Sequence, residues 1–170
     1  MDVAELLVDM YDRIPTLVRG AVEGVTHDQL TEAPRPGANT IAWLLWHLAR
    51  LQDHHMAEIL GEAQLWVTGD WAALFGLAPD PNNTGYGHGP DDVAKVRPRD
   101  ARALVDYLDA VYRRTRPFLA GLSAGDLDRI VDRRWDPPVT LGVRLVSIAD
   151  DCSQHAGQAA YVRGLLAANG

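Results

Sequence analysis

The chain has one cysteine, one lysine and two phenylalanines among its 170 residues, and each scarcity closes off a class of protein. A lone Cys152 cannot form an internal disulfide, so no cross-linked scaffold is expected. Lys95 is the only lysine, and 16 basic residues against 23 acidic ones leave a net charge of −7. That sign opposes phosphate backbones and anionic bilayers, which are held by clustered Lys and Arg, so neither nucleic acid nor membrane is expected as a partner. No apolar run approaches the ~20 residues needed to cross a bilayer. The richest, Ile41 to Leu48, contains His47 and is followed by Arg50 and Asp53. Met1 to Glu5 lack the basic-then-apolar order of a secretory leader, which makes the cytoplasm the expected address.

What is present is an ordinary globular composition, 47% hydrophobic and 23% charged. The length suits a single domain over residues 1–170, able to bury about two-thirds of its unfolded surface. Val3, Leu6, Leu7, Met10, Ile14, Leu17, Val18 and Val22 recur at spacings of three and four, one helical stripe. Pro15 predicts a kink near Tyr11 and Asp12, or a helix in two pieces. After the turn-rich run Glu32 to Gly37, Ile41, Leu44, Leu45, Leu48, Leu51 and Ile59 mark a second helix. Asn39 or Thr40 can cap it, and it should end near Leu60, before Gly61. Ala101, Leu104, Val105, Leu108, Val111 and Tyr112 mark a third, ending by Gly121 with Pro117 disturbing its last turn. A weak extra turn is expected around Leu127 to Val131.

The last helix carries the most regular pattern. Leu141, Leu145, Ile148, Cys152, His155, Ala159, Val162 and Leu166 alternate spacings of four and three, after a cap at Thr140. Four amphipathic helices without convincing β alternation predict an all-α four-helix bundle. A long loop between its second and third helices spans residues 79–98, and its segment Asn83 to Gly89 could cover the mouth of the bundle as a substrate lid.

The anomaly is an imidazole, His155, in that apolar seam, with Asp151 one turn earlier on its flank. Residues four apart lie about 6 Å from each other on one helix face, close enough to converge on one metal ion. A third ligand would come from the second helix, where His47 stands beside Trp43, Leu44 and Leu51. His54 lies about 10.5 Å further along the axis, and His55 falls nearer the centre of the stripe. The plainer alternative is a hydrogen-bonded core histidine with Asp151 neutralising Arg144 or Arg50. His54, His55 and Asp53 offer a second ion site, or simply a solvated face. Arg144 and Gln158 are candidates to orient a ligand or a carboxylate at the site. Cys152, inside the seam, reads as a small buried hydrophobe, and the tryptophans read as core and pocket walls.

The segments Asn39-Thr40-Ile41-Ala42-Trp43-Leu44-Leu45-Trp46-His47-Leu48-Ala49-Arg50 and Gln154-His155-Ala156-Gly157-Gln158-Ala159 resemble the two signature helices of the DinB-like superfamily. This superfamily includes bacillithiol and mycothiol S-transferases and the mycothiol-dependent maleylpyruvate isomerase. The resemblance extends over essentially the whole chain as a helical plan. It implies a bundle that holds a divalent metal with three side chains: His47 from a His-Leu-Ala setting, and Asp151 and His155 four positions apart on the last helix. Many members carry His at the first of those two positions and mycothiol-type members often carry Glu. Asp151 keeps the carboxylate with a shorter reach.

Two imidazoles and one carboxylate leave at least one coordination position open, the arrangement of catalytic zinc sites. An open position takes either a thiol, which loses its proton there, or water for hydrolysis. The resemblance favours the thiol. It implies a metal-dependent S-transferase or isomerase, with zinc as the first choice of metal and nickel the second, mycothiol as thiol cosubstrate, a small-molecule electrophile and a homodimer. The alternatives are a metal-dependent hydrolase, a non-catalytic bundle that binds a metal or small ligand, and an interaction protein with a vestigial site.

Overall fold

In the computed structural model, which describes residues 1–168, four long helices close a ring. They are α1 (Val3–Val22), α3 (Ile41–Leu60), α7 (Ala101–Ala120) and α8 (Leu141–Ala168). α1 and α3 each pack against both α7 and α8. Shorter helices lie between them: α2 (His27–Thr31), α4 (Leu65–Thr68), α5 (Trp71–Leu74) and α6 (Pro90–Val93). A 3-10 turn, Ala124–Asp128, precedes a small antiparallel pair, β1 (Ile130–Asp132) with β2 (Val139–Thr140). The bundle is thus all-α apart from a two-stranded sheet that the sequence pattern did not predict. Strands this short alternate too few residues to show a period. Among the described residues no helix is long and apolar enough to cross a membrane.

Each long helix begins at a side-chain cap that accepts an otherwise unpaired amide of the first turn. Asp2 takes Glu5 N–H, Thr40 takes Trp43 N–H at 3.1 Å, Asp100 takes Ala103 N–H, and Thr140 takes Val143 N–H at 3.3 Å. α3 stops at Gly61, whose φ of 69° is the left-handed conformation that favours glycine. Pro15 and Pro117 do not split their helices in two: α1 and α7 run through them. Pro15 is buried in the bundle, so tertiary packing offsets its lost hydrogen bond. The same packing turns Leu6 and Leu17 outward and fills the α1 stripe with Ala4, Leu7, Tyr11, Ile14, Val18 and Ala21.

From Ile41 to Arg50 every residue of α3 is buried, the mark of a helix covered all round. The bundle covers one side, and the segment between α3 and α7 covers the other. That segment is tied down by two charged residues of α3 with no solvent exposure, Arg50 and Asp53. Asp53 Oδ1 accepts Leu65 N–H and Arg114 Nη2, while Oδ2 accepts Trp66 N–H and the Tyr107 hydroxyl. Arg50 lies over the Trp66 ring and donates to the carbonyls of Asn83 (3.1 Å) and Pro81 (3.3 Å) and to Gln64 Oε1 (3.0 Å). A buried guanidinium is tolerated where acceptors surround it, and here they fasten the loop to the helix.

Candidate metal centre

His47, Asp151 and His155 come together: one ligand atom from each lies within 4.8 Å of the others. α3 supplies His47 and α8 supplies the pair one turn apart. His47 Nε2 is 4.0 Å from Asp151 Oδ2, and His155 Nε2 is 3.5 Å from Asp151 Oδ1. These separations are long for hydrogen bonds.

The other ring nitrogens are committed elsewhere. His47 Nδ1 lies 2.5 Å from the Thr84 carbonyl oxygen. A carbonyl only accepts, so the proton sits on Nδ1 and the Nε2 lone pair points at Asp151. His155 Nδ1 stands 2.8 Å from Gln158 Oε1, which sets the same tautomer there. A ligand histidine held by its far nitrogen is the usual support of a metal site. Gln158, a candidate to orient a ligand or a carboxylate, is in hydrogen-bond contact with His155.

Asp151 Oδ2 is shut off from solvent and has no hydrogen-bond partner, the only carboxylate oxygen so placed among the described residues. A buried charged oxygen without a partner is costly. The donor set of two imidazole nitrogens and one carboxylate oxygen fits a divalent cation. Burial lowers the His47 pKa despite the Thr84 carbonyl and the Asp151 charge, so this ring is neutral at pH 7 and makes no ion pair with Asp151. For His155, burial alone would also lower the pKa, but the Asp151 carboxylate and Gln158 together raise it.

Aromatic rings wall the site. Trp43 stacks on His47 at 4.8 Å between centroids and turns its edge to His155 at 6.0 Å. Its indole N–H donates to His88 Nδ1, and His88 stacks on Trp46. The segment expected as a lid lies against the site: Arg50 donates to the Pro81 and Asn83 carbonyls, the Thr84 carbonyl meets His47, and His88 stacks on Trp46. Gly85 (φ 96°) passes so close that a Cβ there would stand 2.7 Å from His47 Nδ1. Sequence reasoning placed Thr84 and Gly85 in a lid segment and Trp43 in the core or a pocket wall, without their contacts to His47. Asn82-Asn83-Thr84-Gly85 reads as a turn, but nothing local says where the turn lands.

His155 is half-buried, and Ala156 occupies the seam position beside Ala159. Cys152 is buried against the Leu48 carbonyl, and burial pushes its thiol pKa far up. Neither Arg50 nor Arg144 neutralises Asp151. Arg144 instead donates to Asp132 at 2.7 Å and faces His55 Nε2 at 3.4 Å, so its expected place near the triad's carboxylate is corrected. The anticipated grouping of His54, His55 and Asp53 is also corrected: Asp53 is in the core, and Glu58 joins the two histidines.

Residues 10–159 match the DinB superfamily, and the chain belongs to that superfamily. A crystal structure of a conserved protein from Enterococcus faecalis is similar over 97% of both chains, with a TM-score of 0.88 at 32% sequence identity. Among curated proteins none matches this chain.

Proposed function

We propose that His47, Asp151 and His155 hold a divalent cation and that the chain is a metal-dependent thiol S-transferase or isomerase. The observation that carries the metal is Asp151 Oδ2, buried without a partner and facing His47 Nε2. Zinc is the first candidate and nickel the second. A divalent cation held there supplies a Lewis acid that makes a coordinated thiol nucleophilic at neutral pH. The protein offers no thiol of its own for this, since Cys152 is buried with a raised pKa. The thiol is a low-molecular-weight cosubstrate of the mycothiol type, and its acceptor is a small-molecule electrophile.

The chain's residues orient the donors and cover one face of the site. Burial keeps His47 unprotonated, Thr84 and Gln158 fix both rings, and Trp43 shields the His47 face. Half-buried Asp151 and His155 leave the α8 side as the approach for ligands. The same reading takes the chain as one cytoplasmic domain that acts as a homodimer.

The test is elemental analysis of tag-free protein, wild type beside His155→Ala, followed by thiol–electrophile turnover. About one divalent ion per chain in wild type and none in the variant is the expected result. Metal retained by both proteins overturns the ligand set. Metal retained by wild type alone, with no thiol-dependent product from a panel of electrophiles, overturns the transferase in favour of a binding bundle.

A further inference from the structure

A cavity of about 470 Å³ opens beside the triad, within the roughly 300–1,000 Å³ of small-molecule sites. It adjoins the triad through Leu51, one turn after His47 on α3, and through Thr84, whose carbonyl holds His47. Tyr86 and Trp135 stand on its lining yet are 93% and 65% exposed. Large aromatic faces left in water at the rim of a cavity are surfaces that a flat ligand would cover.

The polar lining is one-sided. Asp132 contributes the carboxylate, but four N–H donors already occupy it: Arg134 N and Nε on Oδ1, and Arg134 Nη2 and Arg144 Nη2 on Oδ2. Each guanidinium has donors to spare. Arg134 Nη1 and Arg144 Nε make no hydrogen bond among the described residues. Glu58 accepts from Arg134 Nη2 at 3.2 Å but does not line the cavity. The two histidines add no negative charge. The cavity thus shows an entering molecule apolar faces and cationic donors, in a chain whose net charge is −7.

We propose that this cavity binds a small molecule with a flat apolar body and a carboxylate. Trp135 and Leu51 cover the body, and Arg134 and Arg144 donate to the carboxylate. Charge-assisted bonds from a guanidinium fork favour a carboxylate over a neutral acceptor of equal shape. The inference rests on the proposed reaction only in making this molecule the electrophile, because occupancy of the cavity needs no metal.

The experiment is calorimetric titration of the full chain with 2-naphthoate and with its neutral isostere 2-naphthamide. Wild type and His155→Ala are both titrated. Naphthoate binds both proteins alike, about tenfold tighter than naphthamide, the advantage of a charged hydrogen bond. Trp135→Ala, at an exposed loop position, weakens both ligands by about fivefold. Arg134→Gln removes the advantage of naphthoate and leaves naphthamide unchanged. Equal binding of the two ligands to wild type overturns the carboxylate. Unchanged binding in Trp135→Ala, or no binding tighter than about 10 mM in wild type, overturns the site. Loss of naphthoate binding in His155→Ala overturns its independence of the metal. Metal content, measured separately, decides the triad whichever way the titrations fall.

Discussion

Two clusters of histidine and carboxylate share α3, and on paper they look alike. One joins His47 to Asp151 and His155; the other, beginning about 10.5 Å along the helix, joins His54, His55 and Glu58. In the second, neighbours occupy the polar atoms. Gln64 has its amide oriented by Arg50, which donates to Oε1, so its Nε2 donates to His54 Nδ1. Arg144 can only donate, so it leaves His55 Nε2 as acceptor and Nδ1 as the N–H side toward Glu58 at 3.4 Å. Glu58 also receives Arg134. In the first cluster His47 Nε2 and Asp151 Oδ2 face one another at 4.0 Å with no hydrogen between them, and His155 Nε2 stands 3.5 Å from Asp151 Oδ1. Proximity of ligand-type residues does not mark a metal site; the unfilled account of donors and acceptors does.

The largest expected effect breaks this comparison directly. Zinc at a thousandfold excess over its Kd adds about 4 kcal/mol of stability, which for a chain of this size raises Tm by roughly 10 °C. Wild type shows that rise in a thermal melt, Glu58→Gln keeps it, and Asp151→Ala loses it. Without metal, Asp151→Ala melts no lower than wild type, because the substitution removes a buried carboxylate oxygen that nothing in the fold satisfies. A variant pair that behaves the other way round would assign the metal to the wrong cluster.

A smaller effect tests whether the loop belongs to the site. Gly85 and Gly87 both have positive φ, 96° and 75°, so Ala strains the backbone at either position. A Cβ at position 85 would stand 2.7 Å from His47 Nδ1, whereas one at 87 meets nothing within 4 Å. Gly85→Ala therefore displaces the imidazole or the Thr84 carbonyl that orients it. Zinc affinity measured by competition with a chelator falls about 10–100-fold, the usual cost of losing such an orienting contact. Gly87→Ala strains the backbone through its positive φ alone and leaves zinc affinity unchanged. Equal affinities in the two variants would make the loop a mere cover.

The contrast also explains what could be read in the sequence. The four long helices were legible because their caps and apolar spacings are local, and Asp151 with His155 was legible because four residues on one helix fix a geometry. His47 could not be separated from His55 by spacing alone, and only the resemblance pointed to it. The segment between α3 and α7 was illegible for a different reason. Its path is set by Arg50 and Asp53 reaching backbone groups between 12 and 33 residues away, contacts that no periodicity reports. α2 had a signal that went unread: Thr26 and Gln29 form a capping box. Asp132, the hub between Arg134 and Arg144, carries no local signature at all.

The last effect is a pH dependence read at the satisfied cluster. Burial, then the nearby Arg144 and His54, lower the His55 pKa to about 4, against an ordinary value of about 6.5. Between those values the unfolded chain holds a proton that the folded chain lacks, so stability rises with pH through this window and is lost on acidification from about 6.5 to 4. The change attributable to His55 is on the order of 2 kcal/mol. Denaturant unfolding of metal-free wild type and His55→Gln at the two ends of the window isolates it, because every other titrating group is common to both proteins. The variant should lose less stability on acidification. His155, with its pKa raised by Asp151 and Gln158, works in the opposite sense: in the metal-free protein its contribution is present at low pH and is lost as pH rises through its folded value. Equal acid sensitivity of wild type and His55→Gln would mean that burial and Arg144 together do not hold this ring unprotonated, and the distinction between the finished cluster and the unfinished one would then rest on Asp151 alone.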